Sequence, residues 1–174
     1  MENVKLIRAT SDDIEKIRKI GMETMYETFA KSNTDDNTDI YLKESFSPEK
    51  ISEELNNTES EFYLAVLIEQ VIGYLKINFS QAQSDVKDKE SLEIERIYVR
   101  KEFHGKEIGK ILFNKALEIA KKNKLKYIWL GVWENNFRAI SFYKRHGFVE
   151  FDKHIFRYGN DDQTDLLMKV EIDI

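Results

Sequence analysis

The sequence predicts an α/β (α+β) fold: a mixed, mostly antiparallel central sheet of about seven strands, with helices on both faces. Three observations predict it. Apolar runs of strand length recur along the whole chain, separated by polar segments. Other segments carry apolar residues at helical spacing instead. One such helix lies between two strands from Leu92 to Val132, which requires a single parallel, right-handed crossover.

Val4 to Ala9 reads as a short strand. Thr10 then caps a helix, with Asp13 three residues on as in a capping box, and Ile14, Ile17, Ile20 and Met25 form its apolar stripe. Lys31 to Asp39 is polar and reads as loop. Ser47-Pro48 starts a second helix, Ser at N-cap and Pro at N1, which ends near Asn56-Asn57. Phe62 to Ile68 and Val71 to Phe79 form a hairpin about Glu69-Gln70, a poor two-residue turn. Ser80 to Glu90 is a polar loop, and Leu92, Ile94, Ile97 and Val99 mark the next strand. Glu107 to Asn123 is the clearest helix, with a basic end at Lys121-Lys122 that suits the negative pole of its dipole. Tyr127 to Val132 is a strand, Arg138 to His146 a short helix, and two strands follow from Phe148.

Length and composition narrow the function. The 174 residues, with no linker and no internal repeat, predict one domain over 1–174. No apolar run is long enough to span a membrane, and the N-terminus lacks a secretory pattern, so the expected location is cytoplasmic. Cysteine is absent, which excludes disulfides, thiolate metal sites and a cysteine nucleophile. His104, His146 and His154 share no ligand spacing, so no metal is expected. The net charge of -5 argues against nucleic acid as a partner. Charge is unevenly placed: Arg96 to Lys126 holds ten Lys/Arg against three Asp/Glu. Such a segment is either a solvated helix face or a patch for an anionic ligand, with acidic surface left for a cationic one.

Two segments carry chemistry. Arg100-Lys101-Glu102-Phe103-His104-Gly105-Lys106-Glu107-Ile108-Gly109-Lys110 joins a strand to the long helix, where free N–H groups and the dipole favour phosphate; alone it also fits an ordinary turn. Asn136-Phe137-Arg138-Ala139-Ile140-Ser141-Phe142-Tyr143-Lys144-Arg145-His146-Gly147-Phe148 reads alone as an amphipathic helix with a glycine C-cap. In this order and spacing the pair resembles the GCN5-related N-acetyltransferase (GNAT) superfamily, with its Q/R-x-x-G-x-G/A and N-x-x-A-x-x-F/Y-Y-x-x-x-G-F patterns. The first pattern departs twice: His104 stands where Gln or Arg is usual, and Glu107 where the first Gly is usual. Leu92 to Val99, Ile128 to Glu134 and Gln163-Thr164-Asp165-Leu166 resemble PaiA-type bacterial polyamine acetyltransferases in particular.

The resemblance implies the GNAT fold and transfer of acetyl from acetyl-CoA to a primary amine of spermidine or spermine, by direct attack in a ternary complex. A protein or peptide amine acceptor is one alternative; a regulatory module that binds without turnover is another. It also implies site residues. Ile97, Tyr98 and Val99 would hydrogen-bond the pantetheine arm. His104, Gly105, Lys106, Glu107, Ile108, Gly109 and Lys110 would hold the pyrophosphate, and Asn136, Phe142 and Arg145 would close the cosubstrate site. Tyr143 would protonate the departing thiolate, the alternative being a ring packed beneath the sheet. The ammonium must lose a proton, so a carboxylate is needed. Alternation places Glu93 and Glu95 on one strand face together with Ile97 and Val99. Glu95 fits the base role, Glu93 an acceptor-binding role, and either also reads as a charge reaching water at a strand end. Trp133, with Trp129, lines an acceptor channel or packs the core. The chain is expected to be a monomer or homodimer.

Overall fold

The computed structural model describes residues 3–173. Seven strands form one sheet in the order β1-β2-β3-β4-β5-β7-β6. They are β1 (Lys5–Arg8), β2 (Ser60–Leu67), β3 (Gln70–Phe79), β4 (Ser91–Val99), β5 (Tyr127–Trp133), β6 (Val149–Tyr158) and β7 (Asp161–Glu171). Only β4 and β5 run parallel; every other neighbouring pair is antiparallel. Five α-helices accompany them: α1 (Ile14–Phe29), α2 (Asp35–Ser45), α3 (Pro48–Asn56), α4 (Ile108–Lys122) and α5 (Phe137–Arg145).

The helices split the apolar residues into two layers. Beneath α4 and α5, Leu112, Ala116 and Ile140 pack with Ile94, Leu130 and Met168 of the sheet. On the other face Ile17, Ile20, Phe46 and Ile51 meet Leu64 and Tyr74. Local signals set the helix starts as expected. Thr10 and Asp13 complete a capping box, and Ser47 accepts from the Lys50 N–H with Pro48 at the first helical position.

Three expectations need correction. The 31–39 segment is not all loop, because α2 begins at Asp35. Thr34 caps it, but its own sequence offers little apolar periodicity. What holds it is tertiary: Tyr158 Oη donates to Thr38 Oγ1 at 3.1 Å, Tyr41 stacks on Tyr158 at 4.8 Å, and the Asn160 N–H reaches Asn37 Oδ1 at 2.8 Å. The backbone of Asn37 lies so close to Gly159 that a Cβ there would sit 2.6 Å from it. Second, the hairpin turn is Ile68-Glu69 rather than Glu69-Gln70, and both residues have positive φ, 46° and 64°.

The third correction concerns β4. Lys76 faces Arg96 while Ile77 faces Ile94, so Glu95 is an extra residue, a β-bulge. A bulge resets side-chain alternation. Glu93, Arg96 and Tyr98 therefore face the α1–α3 layer, while Ile94, Ile97 and Val99 pack towards α4. Glu93 and Glu95 do share a face, since both accept from Asn78 Nδ2. Ile97 and Val99 do not lie on it.

Candidate active site

β4 and β5 pair only through Ser91–Glu93 and Tyr127–Trp129. Beyond that point β4 runs on to Val99 and β5 to Trp133 without a ladder between them. The opening leads into a cavity of about 1220 Å³, lined from both faces of the sheet. The Arg100 N–H bonds to the Ile72 carbonyl of β3. Antiparallel alternation then turns the backbone groups of Tyr98 to β3 and those of Ile97 and Val99 towards the opening. The Val99 carbonyl is taken by His104 Nε2 at 2.8 Å. Burial lowers the His104 pKa, so the ring is a neutral donor to that carbonyl.

At the α4 end of the opening lies the strand–helix loop. Glu107 adopts left-handed φ 62°, and Gly105 has φ 75° with open space where a Cβ would stand. The first α4 bond is from the Ile111 N–H to the Glu107 carbonyl. The N–H groups from Gly105 to Lys110 meet no acceptor among the described residues. Free N–H groups in a turn at a helix N-terminus form an anion cradle. The Glu107 carboxylate lies to one side, exposed and 3.4 Å from Lys110 Nζ, so the residue that breaks the glycine pattern keeps its charge beside a lysine. Gly109 serves differently: a Cβ there would already touch the Phe142 ring, at 3.5 Å. Asn136 caps α5 by accepting from the Ala139 N–H, which aims Phe142 and Tyr143 at the opening. Arg145 lines the same cavity. So does Arg138, which has no carboxylate partner among the described residues and stands near enough to His104 and Tyr143 to affect both. The N-x-x-A motif spans Arg138, yet only the fold shows that it faces the cavity.

Tyr143 is almost fully buried, and burial raises its phenol well above the usual range. It stays protonated at neutral pH and can donate. Its ring also packs on Phe148 at 5.6 Å, so the packing and donor readings describe the same side chain.

On the α1–α3 side the two glutamates have opposite environments. Glu93 is buried, accepts from the Ser84 N–H at 2.8 Å and from the Ser84 hydroxyl, and is pushed upward first by burial and then by Glu95. Burial would raise Glu95 too, but Arg96 and Lys76 outweigh it and hold its carboxyl at about 2. Lys76 and Arg96 also pair with Glu54 of α3, making a four-member ion network. A carboxylate so stabilised is a weak proton acceptor at neutral pH. Trp133 and Trp129 share the α1–α3 face. Trp129 donates to Gln83 Oε1 at 2.9 Å and is wholly buried. Trp133 packs against Phe29 with ring centroids 5.3 Å apart, lines the cavity, and its Nε1–H has no acceptor among the described residues.

Residues 22–148 match the acetyltransferase (GNAT) family. The chain belongs to that family. Its members are acetyl-CoA-dependent enzymes, and the anion cradle beside a strand opening suits such a cosubstrate. An uncharacterized N-acetyltransferase of Lactobacillus delbrueckii subsp. lactis is 37% identical over 97% of this chain and 98% of its own. Spermidine N(1)-acetyltransferase of Thermoplasma acidophilum is 24% identical, covering 96% of each chain. The fold is that of PaiA N-acetyltransferase from Thermoplasma acidophilum, solved with coenzyme A: TM-score 0.81, 23% identity, 97% of this chain and 99% of that one. No group of metal-binding side chains and no helix long and apolar enough to cross a membrane occurs among the described residues.

Proposed function

We propose that this acetyltransferase, acting as one domain over 1–174, moves the acetyl group of acetyl-CoA onto a primary amine of a polyamine such as spermidine or spermine. One observation carries the reading. The β4–β5 opening connects a cationic, anion-ready side (the 105–110 N–H groups and Arg138) with a wall of aromatic rings and carboxylates on the α1–α3 side. Phe29, Tyr41, Trp133 and Phe156 line that wall, and aromatic faces attract alkylammonium groups. The relation to a spermidine acetyltransferase supports the same acceptor class.

In this reading the cosubstrate lies along Ile97 and Val99 with its pyrophosphate over Gly105 to Lys110. The amine enters from the α1–α3 side and attacks the thioester directly, with no acyl-enzyme. Tyr143 supplies the proton that the departing sulfur takes. Glu95 keeps its charge inside the Lys76–Arg96–Glu54 network and fixes the bulge that parts the strands. Glu93 adds negative potential at the closed end of the opening.

The test is turnover of acetyl-CoA, followed by thiol release, across spermidine, spermine, free lysine and N-terminal peptides. The expected result is highest kcat/KM for a polyamine. Peptides exceeding spermidine by tenfold or more would replace the acceptor class.

A further inference from the structure

We propose that Asp165 of β7 is the residue that receives the reacting ammonium, at a subsite it forms with Trp133 on the α1–α3 side of the cavity. The inference rests on the acetyl-transfer reading above and names the part of the wall where the amine docks.

The placement is set by the sheet. Asp165 stands opposite Trp133 of β5 and opposite His154 of β6, on the same face as both. Its Oδ2 lies 3.2 Å from the point where a Cβ on Gly131 would stand, so a glycine there leaves room for the carboxylate over β5. Asp165, Trp133 and Gly131 all line the cavity.

What distinguishes Asp165 is the lack of an internal partner. Glu54 and Glu95 are held by Lys76 and Arg96, and Glu93 by Ser84 and Asn78. The Asp165 side chain makes no hydrogen bond or ion pair among the described residues, though it is half-buried. Its cross-strand neighbour Trp133 is 9% exposed, and its Nε1–H also lacks a partner. The buried Trp133 N–H is left without a partner among the described residues, which is costly, and the half-buried Asp165 carboxylate opens on the same cavity wall with no side-chain partner of its own. Phe29 packs on Trp133, Phe156 on Phe29 and Tyr41 on Phe156, and this run of rings lines the same cavity as Asp165. Aromatic rings about one free carboxylate suit an alkylammonium.

The chemistry fits proton removal. Burial alone raises Asp165 to about 6, so it is ionised at neutral pH and still able to take a proton. The ammonium proton passes to an Asp165 oxygen, and the freed lone pair forms the C–N bond at the thioester carbon. The C–S bond breaks with its electron pair on sulfur, which takes the Tyr143 proton. The phenolate recovers a proton from the new amide nitrogen, and Asp165 releases its own to water. Tyr98 is raised by burial and, among lesser influences, by both Tyr143 and Asp165, so one phenol lies within electrostatic reach of both groups. The titratable groups facing Asp165 from packed elements are Tyr41 of α2, Tyr98 of β4 and His154 of β6; the Arg96 and Glu95 charges act on Tyr41 alongside it. His154 pairs with Asp85, which makes it the control substitution among these neighbours.

The experiment measures kcat/KM from pH 5 to 9 for the best amine among spermidine, spermine, free lysine and an N-terminal peptide. The wild type is compared with Asp165→Asn, Asp165→Glu and His154→Gln, with acetyl-CoA affinity by calorimetry. Asp165→Asn is expected to lower kcat/KM by ~10²-fold or more and to abolish the acid limb near pH 6, with acetyl-CoA affinity within about twofold of wild type. Asp165→Glu and His154→Gln should both keep the limb. Retention of the limb or of near-wild-type kcat/KM in Asp165→Asn overturns the assignment, as does its loss in His154→Gln. Lost acetyl-CoA binding in both Asp165 variants overturns it too, since Asp165 would then hold the fold. If a peptide wins the panel yet Asp165→Asn behaves as expected, the polyamine reading falls and this one stands. If the wild type turns over no amine, both fall.

Discussion

Glu95→Gln tests whether the carboxylate at the β4 bulge is a structural charge. The network it belongs to is neutral, Lys76 and Arg96 against Glu54 and Glu95, with side chains 5%, 8%, 9% and 25% exposed. Removing one anion leaves an excess positive charge in a nearly dry place. Breaking a buried pair in this way costs about 3–5 kcal/mol. The proton equilibrium gives a second route to the magnitude. Glu95 falls from 4.5 to about 2 on folding. Two and a half units correspond to about 3 kcal/mol. Because the folded value is the lower one, this stabilisation is present in full above the unfolded pKa of 4.5 and is lost as pH falls towards 2. Against a total stability of about 5–15 kcal/mol, that is a large share, equivalent to a Tm lower by roughly 6–14 °C. Urea unfolding of wild type and Glu95→Gln at pH 7 and pH 3 reads it directly. The variant should be less stable by about 3 kcal/mol at pH 7, and the gap should shrink to less than half at pH 3. A gap under about 1 kcal/mol, or one equal at both pH values, would refute the network argument and return Glu95 to the list of free bases.

Three further outcomes follow from the same geometry. Tyr143→Phe keeps the ring against Phe148 and loses the donor, so kcat should fall by ~10²-fold with unfolding midpoint nearly unchanged; steady-state kinetics showing wild-type kcat would leave Tyr143 a packing residue. Arg138→Ala removes a cation that has no internal partner, so acetyl-CoA affinity by calorimetry should drop by about tenfold without a stability cost, and unchanged affinity would place the cosubstrate elsewhere. Replacing Ile68-Glu69, both at positive φ, with Asn-Gly should raise stability by about 1 kcal/mol or more in urea unfolding; no gain would mean the turn is not strained.

The strand and helix order was legible because period-2 and period-3.6 apolar patterns report burial, and here burial follows secondary structure closely. What escaped the pattern were places where contact overrides it. α2 carries Thr38, Tyr41 and Leu42 on a mostly polar segment, and only their fit against Tyr158, Phe156 and Phe46's layer makes a helix of it. The bulge at Glu95 has no composition signal, since one inserted residue shifts a register without changing the residues on either side. That shift separated Glu95 from Ile97 and Val99, which parity had grouped. The turn at the start of α4 and the place of Tyr143 on α5 were readable from motif and spacing. Asp165 sat within a recognised segment, but its missing partner is a property of space and not of sequence.

The pinning of α2 by Gly159, Thr38 and Tyr158 has a consequence for how such an enzyme changes. Tyr41, Glu44 and Ser45 of that helix help line the part of the cavity proposed for the amine, whereas the loop from His104 to Lys110 and α5 line the part proposed for the cosubstrate. Asn37 and Thr38, which anchor α2 to the β6–β7 hairpin, are distinct from Glu44 and Ser45, which it presents to the cavity, while Tyr41 does both. In the proposed reading a lineage can therefore redraw the acceptor wall, trading charge for ring or long for short at positions 44 and 45, while the half that takes the acyl donor keeps its own elements. Acceptor preference is in that sense a replaceable panel on a separate frame, and α2 is where its divergence should be sought first.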